Sequence, residues 1–166
     1  MVPQCVKKSE EALLKAQKTA AHRVTRCYRT VSDMASLVLA KMPPAFLLAT
    51  SRKKMAESKK SGNVLSKTEA TREVIGQWQA VWDSTAKAAW TKQLIPDLAI
   101  WWYRGPSQVS FHMAQALTNH GCFQKYLWKK ARAQSLACTH CTVEEDDAEH
   151  MIFGCPFWEE ARRDEG

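Results

Sequence analysis

Four side chains near one end of the chain dictate how that end must fold: Cys138, Cys141, His150 and Cys155, spaced C-x2-C-x8-H-x4-C. Three of the six cysteines fall within these eighteen positions. Thiolates and imidazole suit Zn2+, and a two-residue gap lets one turn present both Cys138 and Cys141. His150 and Cys155 are expected on a short helix and the turn that follows it. One structural zinc ion is therefore the expected cofactor. Four protein ligands leave no coordination position for an activated water, so such a site organises structure and does not catalyse. His140, inside Cys138-Thr139-His140-Cys141, is the alternative to His150. A zinc deaminase is excluded by order: that class needs His-x-Glu before Pro-Cys-x2-Cys. Here Cys-x2-Cys comes first, Glu149 directly precedes His150, and no Pro precedes Cys138.

Upstream, apolar residues recur at steps of three and four, and no alternating strand pattern of useful length occurs. Residues 9–31 carry one such stripe, including Leu13, Leu14, Ala21, Val24 and Val31. Ser32 is placed to cap a second, short helix through Met34, Leu37, Val38 and Met42, stopped by Pro43 and Pro44. Pro44 can open a third, which passes Leu47 and Leu48 and runs into Arg52, Lys53 and Lys54. Residues 59–67, with Ser61-Gly62-Asn63, predict a loop. Ser66 and Glu69 fit a capping box that opens a fourth helix. Ile75, Trp78, Trp82, Ala86, Ala89 and Trp90 then share one face until Pro96, a pattern better suited to a core stripe than to a base-stacking platform. A short segment, Leu98 to Tyr103, precedes the Gly105-Pro106 break. A further helix around Val109, Met113 and Leu117 has Gly121 as its expected C-cap. The last, Phe123 to Arg132, should bury Phe123, Tyr126 and Leu127. The expected fold is all-α: an irregular bundle of about six helices with a small C-terminal zinc knuckle. Its parts are a basic helical segment (1–60), a Trp-rich helical linker (61–134) and the zinc module (135–166).

The formal net charge is +7, and its placement says more than its size. Residues 1–72 hold fifteen Lys or Arg against five acids, residues 73–134 seven against three, and residues 135–166 two against nine. An anionic partner such as RNA or DNA would meet the first two-thirds and be repelled by the zinc segment. The candidate phosphate contacts are Lys15, Lys18, Arg23, Arg26 and Arg29 of the first helix and Arg52, Lys53 and Lys54 of the third. No run approaches the roughly 20 apolar residues of a membrane span. Lys7, Lys8, Glu10 and Glu11 stand where a signal peptide would be apolar, so an intracellular, reducing compartment is expected, nuclear or cytoplasmic. The carboxylates Glu144, Glu145, Asp146, Asp147 and Glu149 fit a solvated loop better than a magnesium site. His120 is explained by a helix end. His22 and His112 have no partner pattern, and Cys5, Cys27 and Cys122 suit small apolar positions or exposed thiols. No phosphate-binding Gly loop and no nucleophile–base spacing occurs.

A family resemblance adds to this. The run Ala16 to Ala20, then Arg23-Val24-Thr25-Arg26-Cys27-Tyr28-Arg29-Thr30-Val31-Ser32, resembles a segment of the non-LTR, type-one retrotransposon polyproteins of arthropods, just downstream of their reverse transcriptase palm. Trp78-Gln79-Ala80-Val81-Trp82, Leu94-Ile95-Pro96-Asp97-Leu98 and Leu117-Thr118-Asn119-His120-Gly121-Cys122-Phe123 are similar too. So are Cys138-x2-Cys141, Ala148-Glu149-His150 and Phe153-Gly154-Cys155-Pro156. The resemblance implies thumb-like helices, a helical linker and a zinc knuckle from an RNA-directed DNA polymerase. The palm motif, an aromatic-Ala-Asp-Asp hairpin, has no counterpart, since Asp146-Asp147 lies between the zinc ligands. The expectation is a non-catalytic, nucleic-acid-binding fragment that would partner an upstream palm. The Met start just before the helices and the end soon after the knuckle suggest a truncated reading frame. A zinc-stabilised protein-interaction scaffold and a degenerate pseudogene product are the alternatives.

Overall fold

The computed structural model describes residues 4–62, 65–105, 109–142 and 145–164. Asn63, Pro106 and Glu144, and the side chain of Cys5, lie outside that description. The helical body comprises α1 (Gln4–Thr25), α2 (Asp33–Leu39), α3 (Ala45–Lys60), α4 (Lys67–Ser84), α5 (Ala89–Leu94), α6 (Leu98–Tyr103), α7 (Phe111–Thr118) and α8 (Gln124–Lys129). A π-helical turn (His150–Gly154), a 3-10 turn (Pro156–Trp158) and α9 (Glu159–Asp164) complete the chain. Among the described residues the only extended pairing is an isolated bridge between Ala137 and Glu145. The all-α expectation holds, with more and shorter helices than six. No described helix is long and apolar enough to cross a membrane.

The local signals act where they were expected, with shifted boundaries. The Ser32 hydroxyl accepts from Ala35 N at the start of α2. At α4 the capping box is complete: Glu69 N donates to the Ser66 hydroxyl and Ser66 N to the Glu69 carboxylate. Pro44 sits one position outside α3, as its N-cap. α1 stops at Thr25 and not near residue 31, because Arg26 turns left-handed (φ 55°). Its stripe is also narrower than the periodicity suggests, with Leu13 48% and Val24 64% exposed. α2 ends before the prolines. Lys41 turns left-handed (φ 51°) and Met42 N donates back to the Leu37 carbonyl, a Schellman-type ending.

Two further differences have clear local causes. The long Trp helix breaks at Thr85, where the Ser84 and Thr85 hydroxyls both donate to the Val81 carbonyl and draw the chain out of its helical path. Lys92 Nζ then donates to the Asp83 and Thr85 carbonyls, and Ala88 adopts φ 68° to start α5. At α7 the C-cap is Asn119 (φ 56°), a residue that tolerates the left-handed region, and not Gly121. Gly121 has another role. A Cβ there would lie 1.9 Å from Gln115 Oε1, the atom that accepts Cys122 N.

One apolar cluster runs from Ala21 to Ala114 and draws on α1 through α7. Indole N–H groups fasten it across helices. Trp101 Nε1 donates to the Val38 carbonyl at 2.7 Å, Trp82 Nε1 to Ile95 at 3.0 Å and Trp90 Nε1 to Ala116 at 2.7 Å. Trp78 packs edge-to-face on Trp102 at 6.4 Å. Trp78 and Trp82 of the stripe are core, as expected, while Ala86 and Ala89 are exposed. The Trp82 and Trp90 indoles end on main-chain carbonyls, and the Trp78 Nε1 is buried with no partner among the described residues.

Candidate metal centre and basic surface

The turn 138–141 presents two sulfurs, and the π-helical turn with its exit presents an imidazole and a third sulfur. The donor atoms of Cys138, Cys141, His150 and Cys155 all lie within 4.8 Å of one another. Cys138 Sγ is 3.9 Å from Cys155 Sγ, and Cys141 Sγ is 3.3 Å from His150 Nε2. A zinc ion with bonds of about 2.3 Å to sulfur and 2.0 Å to nitrogen would give tetrahedral edges of about 3.8 and 3.5 Å. The donor set and its dimensions fit that ion. Cys138, Cys155 and His150 are buried and Cys141 half-buried.

Second contacts hold the four in place. Burial pushes the Cys138 thiol up, while N–H groups of Cys141 and His140 directed at its sulfur pull the other way. Those N–H groups are suited to a thiolate, the form a bound cation would favour. Asp147 Oδ1 accepts His150 N at 3.0 Å, and its Oδ2 meets Lys125 Nζ at 3.1 Å. Burial opposes the Asp147 carboxylate, but these partners outweigh it and hold its pKa below the ordinary value. Arg162 of α9 donates to the Cys155 carbonyl at 2.7 Å. His140 is engaged elsewhere: its ring stacks on Phe157 at 4.6 Å and lies edge-on to Trp158 at 5.3 Å.

The acidic loop is not simply solvated, which corrects the sequence expectation. Asp146 is 2% exposed. Its Oδ2 accepts Gln124 N at 2.8 Å and its carbonyl accepts Lys125 N at 3.0 Å, so it caps the start of α8. Glu145 and Asp147 both pair with Lys125, whose pKa is raised by these bonds. Asn119 Oδ1 accepts Ala148 N at 3.0 Å, a second tie to the body. Capping by a residue 22 positions downstream leaves no signal in a local sequence window.

The predicted phosphate contacts divide. Lys15, Lys18, Arg23 and Arg29 line one hollow beside α1, together with His22 and Cys27. Lys18 is paired with Asp33 at 2.5 Å. Arg26 is exposed at the end of α1 and does not line that hollow. On α3, Arg52 is exposed, while Lys53 faces Glu57 at 3.9 Å and Lys54 is held by Glu73 at 2.6 Å. Among the other titratable groups, Cys27 is buried with its thiol pushed up by that burial, and Cys122 is exposed. His120 lies just past the Asn119 cap of α7, where its Nδ1 is 2.6 Å from the Thr118 carbonyl, but burial lowers its pKa.

Comparison with known proteins bears out the resemblance. The chain is 27% identical over 155 residues to the Retrovirus-related Pol polyprotein from type-1 retrotransposable element R1 4 of Nasonia vitripennis, covering 84% of this chain and 39% of that protein. It is 28% identical over 87 residues to the Retrovirus-related Pol polyprotein from type-1 retrotransposable element R1 of Bradysia coprophila, covering 51% of this chain and 8% of that one. The chain thus spans well under half the length of either relative. No protein-family model and no solved structure matches it.

Proposed function

We propose that this chain is a non-catalytic, nucleic-acid-binding segment of a retrotransposon RNA-directed DNA polymerase polyprotein, steadied by one structural zinc ion. The collinear similarity to a Pol polyprotein over 84% of the chain carries this reading. The charge asymmetry supports it: the basic residues belong to the helical body and the acids to the zinc module. Cys138, Cys141, His150 and Cys155 would hold the ion, which supplies a cross-link and no reacting group. Lys15, Lys18, Arg23, Arg26, Arg29, Arg52, Lys53 and Lys54 are the proposed phosphate contacts, RNA or DNA the ligand, and a polymerase palm the protein partner. The division at residues 60 and 134 belongs to the same proposal, as does an intracellular site of action.

Binding to RNA, single-stranded DNA and duplex DNA across a salt series tests the central claim. Phosphate contacts require affinity to fall steeply with salt. A flat profile refutes it. Elemental analysis of purified protein should find about one zinc per chain, and Cys155→Ser should lose it. A second reading, a protein-interaction module, is favoured by the exposed Phe153, Phe157 and Trp158 on the zinc module. It requires a stable partner complex indifferent to nuclease and to reversal of the helix charges.

A further inference from the structure

Three hollows, of about 860, 390 and 340 Å³, share walls. The first lies along α1 and shares Lys18, Arg29 and Asp33 with the second. Lys87, from the turn before α5, also lines the second. The second shares Ala88, Thr118 and His120 with the third, which Tyr126 and Lys129 of α8 and its C-cap Lys130 complete. The hollows therefore lie in a row from α1 to α8, divided by the walls they share, and together make up a groove. Eight basic side chains line it against two carboxylates, Glu11 and Asp33. Lys18 is answered by Asp33, and Lys125 by Glu145 and Asp147. Lys15, Arg23, Arg29, Lys87, Lys129 and Lys130 have no carboxylate partner among the described residues.

The α8 end of the groove also carries aromatic surface. Tyr126 is half-buried, with its ring 5.0 Å from His120 and 5.8 Å from Tyr28, and Lys130 lies over it at 5.7 Å. Its hydroxyl is fixed to Thr30 at 2.7 Å. A basic track with a positioned aromatic ring is the combination that holds unpaired nucleotides: phosphates meet cations and bases stack on rings. Each hollow is within the range of about 300–1,000 Å³ that suits a small ligand. A duplex keeps its bases inside and has no use for such hollows, whereas a single strand can turn bases into them.

We propose that this groove is the path of single-stranded nucleic acid across the chain, with Lys15, Arg23, Arg29, Lys87, Lys129 and Lys130 on its phosphates and Tyr126 against a base. The inference rests on the nucleic-acid reading above. It narrows that reading by adding Lys87, Tyr126, Lys129 and Lys130 and by leaving the α3 cations off the path. The zinc module flanks the groove without lining it by any ligand: Asp146 caps α8, and the acidic loop borders its end.

The test uses the zinc-loaded chain with labelled poly(U), poly(dT) and a mixed-sequence duplex, read by fluorescence anisotropy over a salt series. Lys87→Glu with Lys129→Glu should weaken single-strand binding roughly tenfold or more at low salt. It should also flatten the salt slope by about 1.4, two contacts at about 0.7 each. Lys59→Glu with Lys60→Glu, exposed at the end of α3 and off the groove, should leave both unchanged. Tyr126→Leu should weaken binding with the slope unchanged, while Tyr126→Phe, which keeps the ring, should bind nearly as the parent does. Helical circular dichroism confirms folding of each variant. If the α3 reversal weakens binding and the groove reversal does not, or if duplex binds as tightly as single strand, the path is wrong although the chain binds nucleic acid. If the parent binds none of the three, the broader reading fails as well. Equal affinity for poly(U) and poly(dT) fits contacts to phosphate and ring alone, whereas a preference above tenfold for either refutes a path made only of such contacts.

Discussion

Asp146→Ala offers the sharpest perturbation of the link between the zinc module and the helical body. The side chain is 2% exposed, and its Oδ2 accepts the Gln124 amide at 2.8 Å. Removing that acceptor uncaps α8 and leaves an amide without its partner, a loss of about 1–2 kcal/mol. Relief of the buried and unpartnered Oδ1 works against this and favours the lower figure. The second tie, Lys125 N to the Asp146 carbonyl, survives because it is main chain. α8 should therefore loosen and not detach. In a chain of 166 residues, that loss corresponds to a melting point lower by about 3–6 °C. Calorimetry on the zinc-loaded chain measures it. Asp146→Asn, which keeps an acceptor, should recover part of the loss. Zinc content should stay at the parent value, since Asp146 is not among the four ligands. Single-strand binding should weaken, because Tyr126, Lys129 and Lys130 ride on α8. A variant that melts within about a degree of the parent would refute the capping argument. One that sheds its zinc would show that Asp146 acts on the metal site instead.

Three further outcomes are expected. Trp101→Phe should cost about 0.5–1.5 kcal/mol in denaturant unfolding, because the buried Val38 carbonyl loses the indole N–H but keeps that of Lys41; no measurable change would mean that water takes the place of the indole. Gly121→Ala should destabilise strongly, since the new Cβ would lie 1.9 Å from Gln115 Oε1, and adding Gln115→Ala should return part of the loss; no recovery would place the cost in the φ of 147° alone. His22 and His120 both have pKa values lowered chiefly by burial. The unfolded chain therefore takes up protons first, and stability should fall as pH drops below about 6.5. Stability curves for the parent and for His22→Gln with His120→Gln should separate in slope below that pH, and parallel curves would count against the assignment.

What could be read in advance was local. Ser66 and Glu69 lie three apart and cap one helix end, so their meaning survives without knowledge of the rest. The Cys/His quartet is similar, because its four members sit close enough in sequence to close on one point. The break at Thr85 was hidden because Trp82, Ala86, Ala89 and Trp90 keep helical spacing straight through it. The residue that takes the left-handed turn, Ala88, is not a type that advertises one. The groove was hidden for a different reason. A linear reading groups cations that are neighbours in the chain, so it paired α1 with α3. Folding instead brings α1 beside Lys87 and α8. Asp146 reads in sequence as a loop carboxylate because its partner amide lies in another element.

The three indole ties also bear on how freely such a chain can drift. Each Trp reaches a main-chain carbonyl, at Val38, Ile95 or Ala116, and not a side chain. The accepting position can therefore change identity without breaking the tie, whereas the donating position cannot. Saturation mutagenesis should show this asymmetry. Residues 38, 95 and 116 should accept other side chains wherever the space allows, and residues 82, 90 and 101 should accept almost none. A scaffold fastened in this one-sided way can keep its architecture while most of its sequence turns over.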